Sequence, residues 1–371
     1  MQDTVNLLRG WCVGLALTCA STVAMAQDAV PIDQRIHALL FGEIDYRERE
    51  DLGDDGFAIG QAVGQFTFSL DERLSVFSEL TATARKNQSF NFQVERLFVR
   101  YDFSDHFKLS AGRYHTPLGY WNTSFHHGSW LQSTVARPQT VKFGSNVIPI
   151  HFVGALLEGK IGDSDFGYRV GFGNGRSEKI NDPGDFGDSN GNRAWLFGAN
   201  YRPLGRRRLE VGFSVYIDVV EPAGAAKIDE QIYTGYLALQ SETPELIVEA
   251  THADHDSSAG DGGADSIYAQ LGYRLRGRAA AFKPYIRAER LDVDDDDPLL
   301  GALDLDYEGV TLGVRWDFSN FATLKAEVRR EQFGGQDTRS SFWLQLAFVF
   351  SATPSRQDYA TPTKTWQSSI R

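Results

Sequence analysis

The sequence predicts an all-β chain: a transmembrane antiparallel β-barrel of about sixteen strands, with a long third loop constricting the lumen. Three observations predict it. Apolar and polar residues alternate through segment after segment of roughly ten residues. These segments count to an even number, and the connections between them alternate between short and long.

Alternation marks strands, because successive side chains point to opposite faces of a sheet. Leu209, Val211, Phe213, Val215, Ile217 and Val219 are apolar, and Glu210, Gly212, Ser214, Tyr216 and Asp218 lie between them. The same pattern sets Ile267, Ala269, Leu271, Tyr273 and Leu275 against Tyr268, Gln270, Gly272 and Arg274, and Val310, Leu312, Val314, Trp316 and Phe318 against Thr311, Gly313, Arg315 and Asp317.

The chain opens with Arg9, an apolar run Trp11–Leu17 and a small-x-small step at Ala24-Met25-Ala26, the pattern of a signal peptide over residues 1–26. Both cysteines, Cys12 and Cys19, fall inside it, so the mature chain has no disulfide to rely on. The barrel then occupies 27–350, with strands expected at 36–46, 57–70, 74–85, 91–103, 107–114, 150–161, 166–174 and 194–202. The second half repeats the pattern at 209–219, 230–240, 245–253, 265–275, 282–290, 306–317, 322–331 and 340–350. Turns such as Asp71-Glu72-Arg73 and Ser104-Asp105-His106 are short, whereas 47–56, 115–149, 175–193, 254–264 and 291–305 are longer and mostly polar. Short turns on one rim and long loops on the other are the layout of an outer-membrane barrel. Closure has a physical cause, since in hydrocarbon every backbone N–H and C=O needs an internal partner and a free sheet edge has none. The last strand carries Phe342, Leu344, Leu346, Phe348 and Phe350 on one face, resembling the terminal signal that barrel-assembly machinery reads, and a polar tail, 351–371, follows it.

Composition narrows the field further. Aromatics at 12% and hydrophobic residues at 42% exclude a disordered chain. A net charge of −12 argues against a nucleic-acid binder, which needs a basic excess to neutralise phosphate.

Placing the apolar face outward fixes what faces inward. The inward bases are Arg96, Arg100, Lys108, Arg169, Arg274, Lys283, Arg287, Arg315, Lys325 and Arg329. The inward acids include Glu43, Asp45, Glu79, Asp102, Glu158, Glu210, Asp218, Glu249, Glu289 and Glu327, so a lattice of opposite charges is expected. Of the bases, Arg96, Arg100, Arg274, Arg287, Arg315 and Arg329 are the expected pore wall. The third loop, 115–149, is the longest connection and contains no Asp or Glu in an otherwise acidic chain. It carries Arg137, Lys142, His115, His126 and His127 with Tyr120, Trp121, Phe125, Trp130 and Phe143. Such a loop reads as folded against or into the lumen, where basic side chains favour anions.

Ala111-Gly112-Arg113-Tyr114-His115-Thr116-Pro117-Leu118-Gly119-Tyr120, a strand ending in Gly-Arg-aromatic before Pro-x-Gly, resembles the corresponding stretch of the phosphate-selective porin O and P family. The resemblance implies a bacterial outer-membrane homotrimer that passes solutes passively, prefers anions and is constricted by its third loop. Arg113, Arg137, Lys142, Tyr120 and Trp121 are then the expected constriction. Because inward acids nearly match inward bases, only a weak anion preference is expected. The expected partners are outer-membrane lipid and lipopolysaccharide and small hydrophilic solutes, with no nucleic acid. The alternative is a non-conducting scaffold or binding barrel plugged by its third loop.

Other chemistry is weaker. His126-His127-Gly128-Ser129 offers a base and a hydroxyl, but no carboxylate nearby in sequence to orient them. Two adjacent histidines are slender grounds for a metal site, and His252, Asp254, His255 and Asp256 read as a solvated outer loop. Asp292 and Asp294–Asp297 lack the glycine and closing glutamate of a calcium loop. No catalytic residue, metal or cofactor is expected.

Overall fold

The computed structural model describes residues 35–50, 55–85, 89–176, 178–203 and 208–351. The expected signal peptide and, apart from Ser351, the expected tail lie outside the described residues.

Sixteen antiparallel strands form one closed barrel. The first eight are β1 (Ile36–Arg49), β2 (Gly56–Ser69), β3 (Leu74–Ala84), β4 (Phe90–Ser104), β5 (Phe107–His115), β6 (His151–Lys160), β7 (Phe166–Gly173) and β8 (Ala194–Tyr201). The rest are β9 (Leu209–Val220), β10 (Ile228–Leu239), β11 (Glu245–Ser257), β12 (Gly260–Gly272), β13 (Phe282–Val293), β14 (Tyr307–Trp316), β15 (Ala322–Phe333) and β16 (Arg339–Ser351). Each strand pairs with its sequence neighbours, and β1 closes on β16 from Leu39↔Ser351 to Arg49↔Ser341. Among the described residues no strand is left with an unpaired edge.

The alternation in the sequence becomes an alternation of faces. Along β9 and β13 the odd and even positions switch between exposed or partly exposed and buried. Leu97, Val99, Val211, Phe213, Ile267, Leu271, Val310, Leu312 and Val328 stand 42–55% exposed on the outer face. A belt this apolar far exceeds what a water-facing surface carries, so its solvent is hydrocarbon. Near the short turns, Tyr101, Phe103 and Phe107 pack against one another, and Phe282, Trp316 and Phe318 form a second group, as interfacial girdles do.

One expected connection is not a loop. In place of a long polar excursion over 254–264, β11 runs to Ser257 and β12 begins at Gly260, leaving only Ser258 and Ala259 between them. His252, Asp254, His255 and Asp256 therefore sit on a strand and alternate faces. His255 is buried inward between Asp297 and Glu230, while His252, Asp254 and Asp256 are exposed. They do not share one cation site.

Among the described residues the register shifts at three places: between β1 and β2, between β3 and β4, and between Asp102 and Ser104 where β4 meets β5. In β4, Arg96 pairs with Glu79 and Val94 with Leu80, so Glu95 is the extra residue. It turns inward beside the inward Arg96, and its side chain is buried. In β2 the register with β1 shifts between Gly42 and Ile44, where Gln61 N donates to Glu43 Oε1. A bulge re-aims a side chain that a regular ladder would point away.

Candidate functional site

The third loop leaves β5 after His115 and returns at β6. Its base is closed by Thr116 N donating to Ile150 O at 3.0 Å, and Asn122 Nδ2 donates to both Thr116 O (2.8 Å) and Ile150 O (3.3 Å). A single helical turn, α1 (Trp121–Ser124), and a 3-10 turn at Gln139–Val141 are its only regular pieces.

Between these, the loop lies against the inner wall and is sewn to it. Its leading edge meets β10 and β11: Gly119 N donates to Thr234 Oγ1, and Tyr120 N and Trp121 N both donate to Glu249 Oε2, at 3.1 and 3.0 Å. Farther on, Val135 N reaches Glu327, Gln139 N reaches Glu289, and Ser133 Oγ reaches Glu245. The cations work in the opposite sense. Lys325 Nζ donates to Ser129 O and Thr134 O, Arg315 to Trp130 O and Gln132 O, and Arg287 to Ala136 O and Arg137 O.

This stitching accounts for the loop's lack of acids. An irregular segment has backbone donors and acceptors that no ladder satisfies, and burying them unpaired costs about 1–3 kcal/mol each. Here wall glutamates accept from the loop's N–H groups and wall cations donate to its carbonyls. A carboxylate on the loop would face Glu245, Glu249, Glu289 and Glu327 across a few ångströms.

The residues expected at the constriction have different surroundings. Trp121 is wholly buried and Tyr120 nearly so, with ring centroids 6.0 Å from Tyr268 and 5.4 Å from Tyr236. Both fill space rather than present a surface. Arg137 donates to Val141 O and His126 O and stacks 3.7 Å above Phe143. Its desolvation pulls the guanidinium down to about 10, which leaves it charged at neutral pH. Lys142 is exposed near Phe333. Arg113 joins neither of them: it donates to Glu95 O and pairs with Asp185 of the next long loop.

The expected wall arginines all find acids, but they differ in exposure and in place. Arg287 (with Glu289), Arg315 (with Asp317) and Arg329 (with Glu327) lie beneath the loop, their side chains only 2%, 9% and 8% exposed. Arg96 (with Glu79) and Arg100 (with Asp102 and Glu158) keep 12% and 16%, and Glu158 keeps 23%. Arg274 bridges Glu242 and Asp317 near the turns. Burial works to raise the Glu242 carboxyl, but Lys283 and Arg274 outweigh it and hold it below the ordinary range.

Sequence reading missed a cluster at the loop's base. His115 ends β5 and His151 opens β6, and the two are directly paired across the strands. His126 and His127 come in from the loop, and the bulge residue Glu95 comes from β4. Ring centroids of His115 and His126 lie 3.4 Å apart, and His151 is 5.2 Å from His126. Glu95 Oε2 lies 2.7 Å from His151 Nε2 and 3.4 Å from His127 Nε2. Burial holds the His126 imidazole well below its usual range, so it is neutral.

A closed sixteen-strand barrel with an apolar belt outside and charged side chains within is the architecture of an outer-membrane β-barrel. Solved structures bear out the fold. The chain is similar to an anion-selective porin from Comamonas acidovorans, at 12% identity and a TM-score of 0.61, over 85% of this chain and 98% of the other. It is similar to OmpT, an outer-membrane protein of Vibrio cholerae determined in a trimer form (13% identity, TM-score 0.57, 85% of this chain and 99% of that one). It is also similar to the outer-membrane channel DcaP of Acinetobacter baumannii (10%, 0.58, 85% and 96%). No protein-family profile matches the chain, and no curated protein does.

Proposed function

We propose that the protein is an outer-membrane porin: a passive channel for small hydrophilic solutes whose lumen the third loop constricts. The observation that carries this reading is the stitching of the loop's backbone to β10–β15, which fills that side of the lumen; on this reading the charged wall of β4–β7 is the side open to water. On this reading the first 26 residues direct export, and the mature barrel of 27–350 sits in lipid and lipopolysaccharide as a homotrimer. Arg96, Arg100 and Arg113 line the remaining path. Arg137 and Lys142 add positive charge from the loop, and Tyr120 and Trp121 set its width by their volume. Each wall arginine has a carboxylate beside it, so the anion preference is weak. Kinship with the phosphate-selective family rests on the 111–120 stretch alone. The similar structures support a channel through what they are described as, a porin in one case and an outer-membrane channel in another.

A liposome-swelling assay with sugars of increasing size tests the proposal. Swelling that falls off with solute size is expected, as is faster swelling when 116–149 is replaced by a short glycine-serine linker. A barrel that admits no solute until that segment is removed is a plug, and the proposal fails.

A further inference from the structure

We propose that His115, His126, His151 and Glu95 bind a divalent first-row transition-metal ion of zinc-like preference, which staples the base of the third loop to the barrel wall. The ligand atoms of these four residues all lie within 4.8 Å of one another. They come from four separate pieces of chain: the end of β5, the loop, the start of β6 and the bulge of β4. An ion here ties together the parts that must stay in place for the loop to keep its course.

The Nε2 atoms of His115, His126, His127 and His151 and Glu95 Oε2 are buried, and none has a hydrogen-bond partner of acceptable geometry among the described residues. Glu95 Oε2 comes within 2.7 Å of His151 Nε2, but off the bonding direction. Buried polar atoms are ordinarily paired, and four of these five belong to the residues whose ligand atoms lie within 4.8 Å of one another, which calls for an occupant.

His126 Nδ1 lies 2.6 Å from Asn122 Oδ1, and the amide nitrogen of Asn122 is committed to Thr116 O and Ile150 O. The asparagine therefore presents its oxygen, His126 Nδ1 carries the proton, and the lone pair is on Nε2. His127 repeats the device: its Nδ1 faces Gln61 Oε1 at 2.9 Å, while Gln61 Nε2 donates to Thr83 Oγ1. A ligating histidine held by a carbonyl oxygen on its far nitrogen is the usual outer support of a metal site.

Glu95 accepts from Thr81 Oγ1 at 3.0 Å, and no arginine or lysine bonds to its carboxylate among the described residues. A buried carboxylate needs a countercharge, and a dication supplies one. Three imidazoles and one carboxylate form a set that suits zinc and its neighbours. Metal–ligand bonds of about 2.0–2.1 Å place tetrahedral ligand atoms ~3.3 Å apart, so side-chain rotations of roughly 1.5 Å or less close the site. His127 and Glu79 stand alongside as a second, overlapping set with His115.

The test uses the refolded mature chain in detergent, stripped with chelator and titrated with Zn2+ by calorimetry, then loaded with Co2+ for its visible spectrum. One ion per chain is expected, bound more tightly than roughly 1 μM, with the intense absorption of four-coordinate cobalt. H126A/H151A should weaken binding at least about 100-fold and E95Q about 10-fold or more, while H252N, on the outer face, should leave it unchanged. Folding of each variant is read from heat-modifiable gel mobility, and H126Q replaces the double variant if that one does not fold. Absence of binding at about 100 μM Zn2+, or equal affinity in the folded H126A/H151A or H126Q protein, overturns the proposal.

Discussion

Replacing Glu249 with alanine should release the leading edge of the third loop. A single oxygen of this buried carboxylate accepts from Tyr120 N at 3.1 Å, Trp121 N at 3.0 Å and the Tyr268 hydroxyl at 2.9 Å. Truncation leaves three donors without an acceptor, at about 1–3 kcal/mol each. The simple sum, ~3–9 kcal/mol, overstates the loss, because the tyrosine hydroxyl can rotate and water can reach the gap; roughly 3–5 kcal/mol is expected, most of what the two backbone donors alone cost. At about 1.4 kcal/mol per factor of ten, the detached state becomes roughly two to four orders of magnitude more populated. The barrel wall itself is untouched, so the effect should be local. Limited proteolysis of the refolded protein should cut within 116–150 far faster in E249A than in wild type, and single-channel current should become noisier, while heat-modifiable mobility stays the same. E249Q keeps a carbonyl oxygen for the two backbone donors and should lie near wild type. Equal proteolysis and equal noise in E249A and wild type would refute the idea that wall carboxylates hold the loop.

Three further outcomes rest on the same geometry. Gly119 has φ +69°, and a Cβ there would run into Glu249 Oε1, so G119A should reproduce the protease sensitivity of E249A although it removes no polar group. R100Q should shift the reversal potential in a salt gradient toward cation preference with little change in conductance, because it leaves the part-exposed carboxylates of Asp102 and Glu158 without their partner. For Asp297, burial works to raise the carboxyl, but the hydrogen bond from His255 and the backbone N–H groups of Leu299 and Leu300 outweigh it and lower it from 3.8. A depressed carboxyl stabilises the fold above its unfolded pKa and loses that contribution as pH falls through the folded one, so the urea midpoint should drop below about pH 4 in wild type and drop less in D297N.

How much of the fold is legible in the sequence depends on contrast between faces. β9 is readable because one face meets hydrocarbon and the other a wet, charged lumen. The upper parts of β11 and β12 are not, because His252, Asp254, Asp256 and Asp265 face water beyond the apolar belt, where polar residues on both faces erase the alternation. The acid-free third loop is legible as an inward segment, but its partners on β11, β13, β14 and β15 lie more than a hundred residues away and follow only from barrel closure. The histidine cluster is hidden for a similar reason. His115 and His151 are far apart in the chain and meet only through the β5–β6 register. Glu95 does leave a trace: the apolar positions run Phe90, Phe92, Val94 and then slip phase to Leu97, Val99 and Tyr101, which is the mark of a bulge and of an extra residue turned inward.

The most direct test of the channel reading is planar-bilayer recording of the purified, refolded mature protein under a salt gradient. Discrete conductance steps with a reversal potential displaced modestly to the anion side are predicted. A protein that inserts, as shown by heat-modifiable mobility and protease protection in the same lipid, yet yields no current steps at any voltage, would contradict the account.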